Sequence, residues 1–559
     1  MSGDTPRFTF LGKFVSLLLV AGLVWYGVVL ARQRGWWPGS SAGGGTGGAT
    51  SSGGGSSAEV VDVQASVPRL APPAPYQMKG DTVVVEISEY AGYAGLIAAN
   101  GGLAPNSNTI FARDGHFVLK LTISEEESWS ALNSGQMAAS VTTVDVLAVY
   151  GPQFRVVVPA QISYSRGADG LAVTSDIKSV NGLKGKIVAT AQFTEVDFFI
   201  RYLAQEAGLG VNALSSLDAA PDPDRINLVY TDDGFSAGDL FAKDLASGHP
   251  RLAGCTTWEP KLTEVVQGSG GRAKILTTNR NLLIVGDILI VNEGFAQQHP
   301  EMVAVLVKGL LTGNRLVREH PEQYTDVIGR AFKWTPQETA VQLAKVHFSN
   351  FPENQAFFSG AIDAGGSFAG IYQSAVLAYG SRLIPNPVDA EHFVESKPLE
   401  GLKQARAFSD EKLSIAPIRT AAAGGIVENN PLLSRDIRFY FEPNSAVLDQ
   451  SNQENLANLE SIKRLLQVSP GSTILLRGHV DNALVPEFRR QGGEDFVRRM
   501  ALQAMELSRN RAAAVRQLLV EREKMDQKRL DIVGRGWEEP VSTNSDLNRR
   551  VEVQWFTIE

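Results

Sequence analysis

Near the end of the chain an arginine stands where a helix faces inward. The segment LSRNRAAAV (Leu507 to Val515) lies within a longer helical pattern. At 100° per residue, Leu507, Ala514, Val515 and Leu518 share one apolar stripe, and Arg511 falls in its middle. Arg509 and Arg516 fall on the opposite face. An inward guanidinium requires a partner, because an unpaired buried charge is strongly unfavourable. Asp481, which ends the strand pattern STILLRGHVD, is the candidate. One reading is a structural salt bridge. The other is a site in which Asp481 takes the ammonium of a zwitterion and the Arg511 fork takes its carboxylate bidentately.

A second set of polar residues follows strand patterns. Ser88, Glu89 and Tyr90 come after VVVEI. Thr142, Thr143 and Asp145 come after GQMAASV, and Gln192, Thr194 and Glu195 after KIVATA. Trp258 and Glu259 lie in TTWEP. The ends of strands in open α/β sheets are where ligands bind. The competing reading is helix capping, since TTVDVLAVYG and TEVDFFIRYL are good N-cap sequences. The 7 histidines form no metal pattern such as HExxH, and the single cysteine, Cys255, excludes an intrachain disulfide or a Cys-based zinc site. No Ser-His-Asp spacing stands out. No catalytic residue, metal or cofactor is expected.

These residues need elements to position them. From Asp81 to Leu402 strand patterns (TVVVEI, FVLKLTI, GKIVATA) alternate with amphipathic helical ones (VDFFIRYLAQEAGL, PEMVAVLVKGLLTGNRLVREH), which predicts an α/β fold with largely parallel sheets. SIAPIRTAAAGGIVENNP (Ser414 to Pro431) reads as a linker. Beyond it come strand, helix, strand, helix, strand, strand, with Ile437, Phe439 and Phe441 alternating inward and a helix from about Gln453 to Leu466.

A chain of 559 residues exceeds one core. Hydrophobic content of 43% and charged content of 20% are those of globular protein, and a net charge of -8 spread along the chain excludes a nucleic-acid binder. FVSLLLVAGLVWYGVVLA (Phe14 to Ala31) carries no charge and is long enough to cross a bilayer, which takes roughly 17–25 apolar residues. It reads as an uncleaved anchor, with Trp25, Tyr26, Trp36 and Trp37 suited to the interface. A Gly/Ser-rich stretch from Pro38 to Glu59 and APPAP (Ala71 to Pro75) follow as linker.

The blocks IRFYFEPNSAVL, LRGHVDN, LSRNRAAAVRQLL, GRGWEEPVSTN and NRRVEV occur in that order over about 434–557. Together they resemble the OmpA-like peptidoglycan-binding domain. The resemblance implies that Asp481 and Arg511 hold diaminopimelate of the wall peptide, with Phe441, Asn444, Asn482 and Leu507 around it. Two departures stand out. Ala504 replaces a usual asparagine, and the Asp481–Leu507 segment, with NALVPEFRRQGGEDF, is longer than usual and is expected to be a loop over the pocket.

EYAGYAGLIAANGGL, SALNSGQMAASVTTVDVLA, SRGADGLAVTSDIKSVNGLKGKIVATA and CTTWEPKLTEVV, over about 81–400, resemble the periplasmic substrate-binding proteins of the nitrate, sulfonate and taurine ABC-transporter type. That implies two lobes closing on a small ligand, with the strand-end residues above as candidate cleft. An enzymatic relative of this fold, the thiamine-pyrimidine synthases, carries a cysteine-rich motif that this chain lacks.

The expected α/β architecture is therefore a cytoplasmic tail (1–13), a transmembrane helix (14–31), a linker (32–76), a type II two-lobe domain (77–405), a linker (406–433) and an OmpA-like α/β sandwich (434–559). The expected protein is single-pass in the inner membrane with its bulk in the periplasm. Its expected partners are peptidoglycan, a small solute (an anion or an amino-acid-like compound) and an inner-membrane permease or sensor. The alternative is a membrane-to-wall tether whose middle domain is a ligand-free spacer. An ion-driven stator would carry an acidic residue in its span, and residues 14–31 have none.

Overall fold

The computed structural model describes residues 59–124, 128–360, 366–415, 431–442, 445–469 and 471–557. The expected tail, the span 14–31 and Asn444 lie outside them. Among the described residues no helix is long and apolar enough to cross a membrane.

Strands β1 (Thr82–Ile87), β2 (Val118–Ile123), β3 (Ala139–Thr143) and β4 (Val156–Ser165) begin a first lobe. The chain then crosses to a second lobe built from β5 (Asp169–Thr174), β6 (Ile187–Ala191), β7 (Gly210–Ala213), β8 (Arg225–Thr231), β9 (Leu252–Trp258) and β10 (Ala273–Thr278). It returns to the first lobe with β11 (Gly286–Asn292) and β12 (Val346–Phe348). The sheet orders are β12-β4-β11-β3-β1-β2 and β10-β5-β9-β6-β8-β7. β-branched residues dominate β1, as half-buried or buried pleated surfaces favour.

The sheets are mixed rather than largely parallel. β1 runs parallel to β2 and β3, and β6 to β8 and β9. β11 is antiparallel to both β3 and β4, and β5 to β9 and β10. The crossings explain this. A strand arriving from the other lobe enters its sheet at the end from which the departing strand left, so the two run in opposite directions. Residues 59–76, expected to be linker, run along the body instead. The Val61 amide donates to the Tyr230 carbonyl at 2.8 Å in the second lobe. Asn133 and Asn292 bind the APPAP backbone to the first lobe.

The C-terminal module has β13 (Leu433–Ile437), β14 (Thr473–Gly478), β15 (Leu530–Gly534) and β16 (Val551–Phe556) in the order β13-β16-β14-β15. β14 is parallel to β15 and antiparallel to β16. β13 stops at Ile437; Phe439 is buried beyond it, and Phe441 bridges to Leu448. Helices Gln453–Val468 and Val485–Glu521 cover the sheet. The second approaches so closely that a Cβ on Gly478 would collide with the Ser508 carbonyl oxygen. The segment NALVPEFRRQGGEDF is not a loop. Most of it forms the first turns of that helix, which bends at Gly492 and Gly493, where Gly493 takes φ 65° and ψ −163°. Such backbone is open almost solely to glycine. Phe488 packs edge-on to Phe496, with ring centroids 5.7 Å apart, and lies 6.0 Å from Trp537.

The module docks on the second lobe and on the returning crossing. The Val180 amide donates to the Leu432 carbonyl at 2.9 Å, and Asn181 makes two hydrogen bonds to the Ser434 backbone. The Leu283 amide donates to the Val468 carbonyl at 2.8 Å. One apolar core runs through this seam, from Val180 and Leu183 to Leu432, Leu433 and Ile437.

Candidate functional site

In the C-terminal module the buried stripe of the long helix is Ala504, Ser508, Ala512, Val515 and Leu519. The projected stripe was about one position off, so Leu507, Ala514 and Leu518 are partly exposed and Arg511 sits at the stripe's edge. Its Nε donates to the Ser445 carbonyl at 3.1 Å, and its guanidinium lies 5.0 Å from the centre of the Phe441 ring. Among the described residues Arg511 makes no ion pair. Asp481 does not close on it. Oδ2 of Asp481 accepts from Nε of Arg549 at 2.8 Å, and Oδ1 accepts from the Ala483 amide at 2.9 Å. Asn482 is exposed next to it.

Arg549 is the residue that inspection of the sequence did not single out, although NRRVEV contains it. It gives the rim two guanidinium groups and one carboxylate. Burial pushes the Asp481 pKa up, but the hydrogen bond and charge of Arg549 outweigh this and hold it below the ordinary carboxylate value. Burial lowers the Arg511 pKa and Arg549 lowers it further, with Asp481 opposing. A cation short of countercharge, beside a carboxylate kept ionised, fits a zwitterion presented carboxylate first to Arg511.

The two-lobe region gathers four of the expected cleft residues, Tyr90, Thr143, Asp145 and Glu195, and leaves the others elsewhere. Oε1 of Glu89 accepts from the Trp334 indole on the exposed surface. Gln192 pairs with the Gln64 backbone. Trp258 covers Gly234 and stacks on Phe235. Glu259 forms an ion pair at 2.7 Å with Lys345, joining the lobes. The carbonyl of Ser88 accepts from the Tyr90 amide. Thr142 is fully buried on β3, one residue before Thr143.

Thr143 and Thr194 do stand at N-cap positions, but neither side chain caps its helix. The Thr194 hydroxyl donates to the Ala191 carbonyl, and the Thr143 hydroxyl has no well-formed hydrogen bond, though it lies close to the Asp145 carboxylate. Thr143 lies directly across from Asp287 on β11, which in turn accepts from the Ser163 hydroxyl at 2.5 Å on β4. Asp169, where the chain enters the second lobe, accepts from Ser165 and from Asn279 on the returning crossing, each at 2.6 Å. Asp287 is a single acid within an apolar stretch, and that isolation is itself a signal; Asp169, in SRGADG, carries no such mark.

Asp145, Asp169 and Asp287 are 0, 4 and 2% exposed, and Glu195 lies beside them with part of its surface open. Burial raises all four, and mutual repulsion adds to it. Asp145 is pushed up to about 7 and Asp169 to about 6, while Glu195 and Asp287 rise well above the ordinary range. The nearby cation Arg201 is committed to Asp197 at 2.8 Å, to the Tyr230 hydroxyl and to the Tyr379 ring. These four acids therefore lie together without a basic side chain of their own among the described residues.

Among the described residues, one group has metal-like spacing: His479, Glu539 and Glu552. The Arg477 guanidinium already bonds both glutamates there. An open cavity of about 560 Å³ at the seam is lined by Arg550 and Asp436, paired at 2.8 Å, and by Arg435, which donates to the Ser461 hydroxyl.

Residues 440–554 match the OmpA family. No curated protein matches the chain. Among solved structures, the periplasmic aliphatic sulphonate binding protein SsuA from Escherichia coli shares 16% identity over 56% of this chain and 97% of its own, with a TM-score of 0.43. The alkanesulfonate-binding protein SsuA from Xanthomonas axonopodis pv. citri, bound to MOPS, shares 14% identity over 57% of this chain and 100% of its own, with a TM-score of 0.42. The desulfurization enzyme DSZB shares 15% identity over 58% of this chain and 100% of its own, with a TM-score of 0.38.

Proposed function

We propose that this is a non-enzymatic protein of the cell envelope, anchored in the inner membrane by residues 14–31. In this reading its two-lobe region binds a small solute in the periplasm, and its C-terminal module grips peptidoglycan through diaminopimelate. The observation that carries the wall-binding half is the Asp481–Arg549–Arg511 rim within the part of the chain that matches the OmpA family. Asp481 takes the ammonium, and the unpaired end of Arg511 takes the carboxylate. The buried hydroxyls of Tyr90 and Thr143, which lack well-formed hydrogen bonds beside the cleft acids, support a receptor over a ligand-free spacer, since poorly satisfied buried polar groups are costly unless something fills the gap. A permease or sensor in the same membrane is the natural recipient of the bound solute.

The test is co-sedimentation of the full-length protein, in detergent, with purified sacculi. Wild type should pellet. Asp481→Ala and Arg511→Ala should stay in the supernatant, and Arg511→Lys, which keeps charge but loses the fork, should bind more weakly than wild type. Both alanine variants pelleting like wild type would remove this site from the wall-binding role.

A further inference from the structure

The acids of the cleft have no cation to hold. No lysine or arginine among the described residues forms an ion pair with Asp145, Asp169, Asp287 or Glu195. They come from four separate places: the helix start after β3, the outgoing crossing, β11, and the helix start after β6. Ser163, Ser165 and Asn279 give some of their oxygens neutral donors. Both oxygens of Asp145 lack a well-formed hydrogen bond, although the Thr143 hydroxyl and the Asp145 amide lie close enough to moderate its charge. The Thr143 side chain is 6% exposed and its hydroxyl has no well-formed hydrogen bond, lying beside Asp145 and across the strand pair from Asp287. The Tyr90 hydroxyl is likewise buried without a well-formed hydrogen bond, next to Ser165 and close to Asp287, Asp169 and Glu195.

We propose that the cleft takes a small organic cation, an amine or guanidinium compound with several N–H donors, held by Asp145, Asp169, Asp287 and Glu195 and by the hydroxyls of Thr143 and Tyr90. The inference rests on reading the two-lobe region as a solute receptor and names the class of solute. Spacing separates this from a metal site. Oxygen ligands of a hard cation must converge to about 2.0–2.6 Å from one point. No three of these carboxylates come near enough to one another to share an ion. An extended cation with N–H groups along its length reaches separated acceptors, each contact being charge-assisted in a water-poor setting. Asp169 adds a conformational role, because its carboxylate joins Ser165 on one crossing to Asn279 on the other. A cation at Asp169 therefore touches the segments that must bend for the lobes to part.

The experiment uses the full-length protein in detergent, read by thermal unfolding and by titration calorimetry. The probes are putrescine, spermidine and agmatine as organic cations, taurine and sulfate as anions, and calcium and magnesium as metals. At least one amine should raise the unfolding temperature and give a binding isotherm. Asp145→Asn and Asp287→Asn should each weaken that binding about tenfold or more. Both should also keep or raise the unfolding temperature of the empty protein, because each removes an uncompensated buried acid; this readout needs no ligand. Stabilisation by taurine or sulfate alone would overturn the cation while leaving the receptor intact. Stabilisation by the metals alone would overturn the organic class. Silence from all three classes would overturn both the inference and the receptor reading. Amine binding that is unchanged in both variants would overturn the assigned site.

Discussion

Two groups of carboxylates in this chain are buried under opposite conditions, and their pH signatures should run in opposite directions. Asp145 and Asp169 rise to about 7 and about 6. Their folded forms keep protons that the unfolded chain has released, so stability falls as pH rises from about 4 through 7, by up to about 1.4 kcal/mol per pH unit for each group. The unfolding temperature of Asp145→Asn minus that of wild type, without solute, should therefore be near zero below about pH 4 and grow increasingly positive up to about pH 7. A difference that stays flat or falls would show that the Asp145 charge is compensated. For Glu552, burial raises the pKa, but His479, Gln554 and Arg477 outweigh it and hold the group at about 2. Its stabilisation is complete above the unfolded value of about 4.3 and is lost as pH falls toward 2. Glu552→Gln should be less stable than wild type at pH 7, with the gap closing in acid; a gap independent of pH would mean that packing rather than charge is lost. At this scale the sequence was informative where residue types are unusual for their place. An arginine near an apolar stripe and an aspartate ending a strand both led to the Asp481–Arg549–Arg511 rim. The partner of Asp481 was hidden because Arg549 is 68 positions away and only the fold joins them.

The elements were legible wherever periodicity was strong. TVVVEI, PEMVAVLVKGLLTGNRLVREH and the order of elements in the C-terminal module appear where their patterns place them. Two features escaped. Strand direction depends on which lobe the chain has come from, which no local pattern encodes. The insertion after Asp481 reads as a loop because it exceeds the spacing usual for the resembled domain. In the fold, helix resumes on the far side of the bend, and Phe488, Phe496 and Trp537 pack across it. Gly493→Ala tests the bend. Nothing lies within 4 Å of the added Cβ, so its cost is backbone strain alone, roughly 1–3 kcal/mol. Sacculus binding should persist, since the Asp481–Arg549–Arg511 rim does not include the bend. Unchanged thermal stability would mean the backbone there is not left-handed. Gly478→Ala is the contrasting case, because its Cβ meets the Ser508 backbone rather than open space. Roughly 1–3 kcal/mol or more is expected from overpacking, together with lost wall binding as the helix carrying Arg511 is pushed off the sheet.

At the scale of the whole molecule, the C-terminal module and the two-lobe region are not beads on a string. The seam joins the module to the second lobe through Asn181 and Ser434, and to the returning crossing through Leu283 and Val468. That crossing also carries Asn279, whose side chain binds Asp169. Movement of the lobes about the crossings therefore strains or relaxes contacts with the module, while the apolar core through Val180, Leu432 and Leu433 resists separation. Unfolding of this body should be one cooperative transition by calorimetry. Asn181→Ala removes both hydrogen bonds to Ser434 and leaves the Ser434 amide and carbonyl without those partners. A loss of about 1–3 kcal/mol at the seam follows. The single transition should then broaden or split as the module comes to melt independently. Two resolved transitions in wild type, or an Asn181→Ala trace superimposable on it, would show that the seam transmits nothing. A split confined to the variant would mean that solute capture and the grip on the wall share one folding unit, through which the state of the cleft can be felt at Val468.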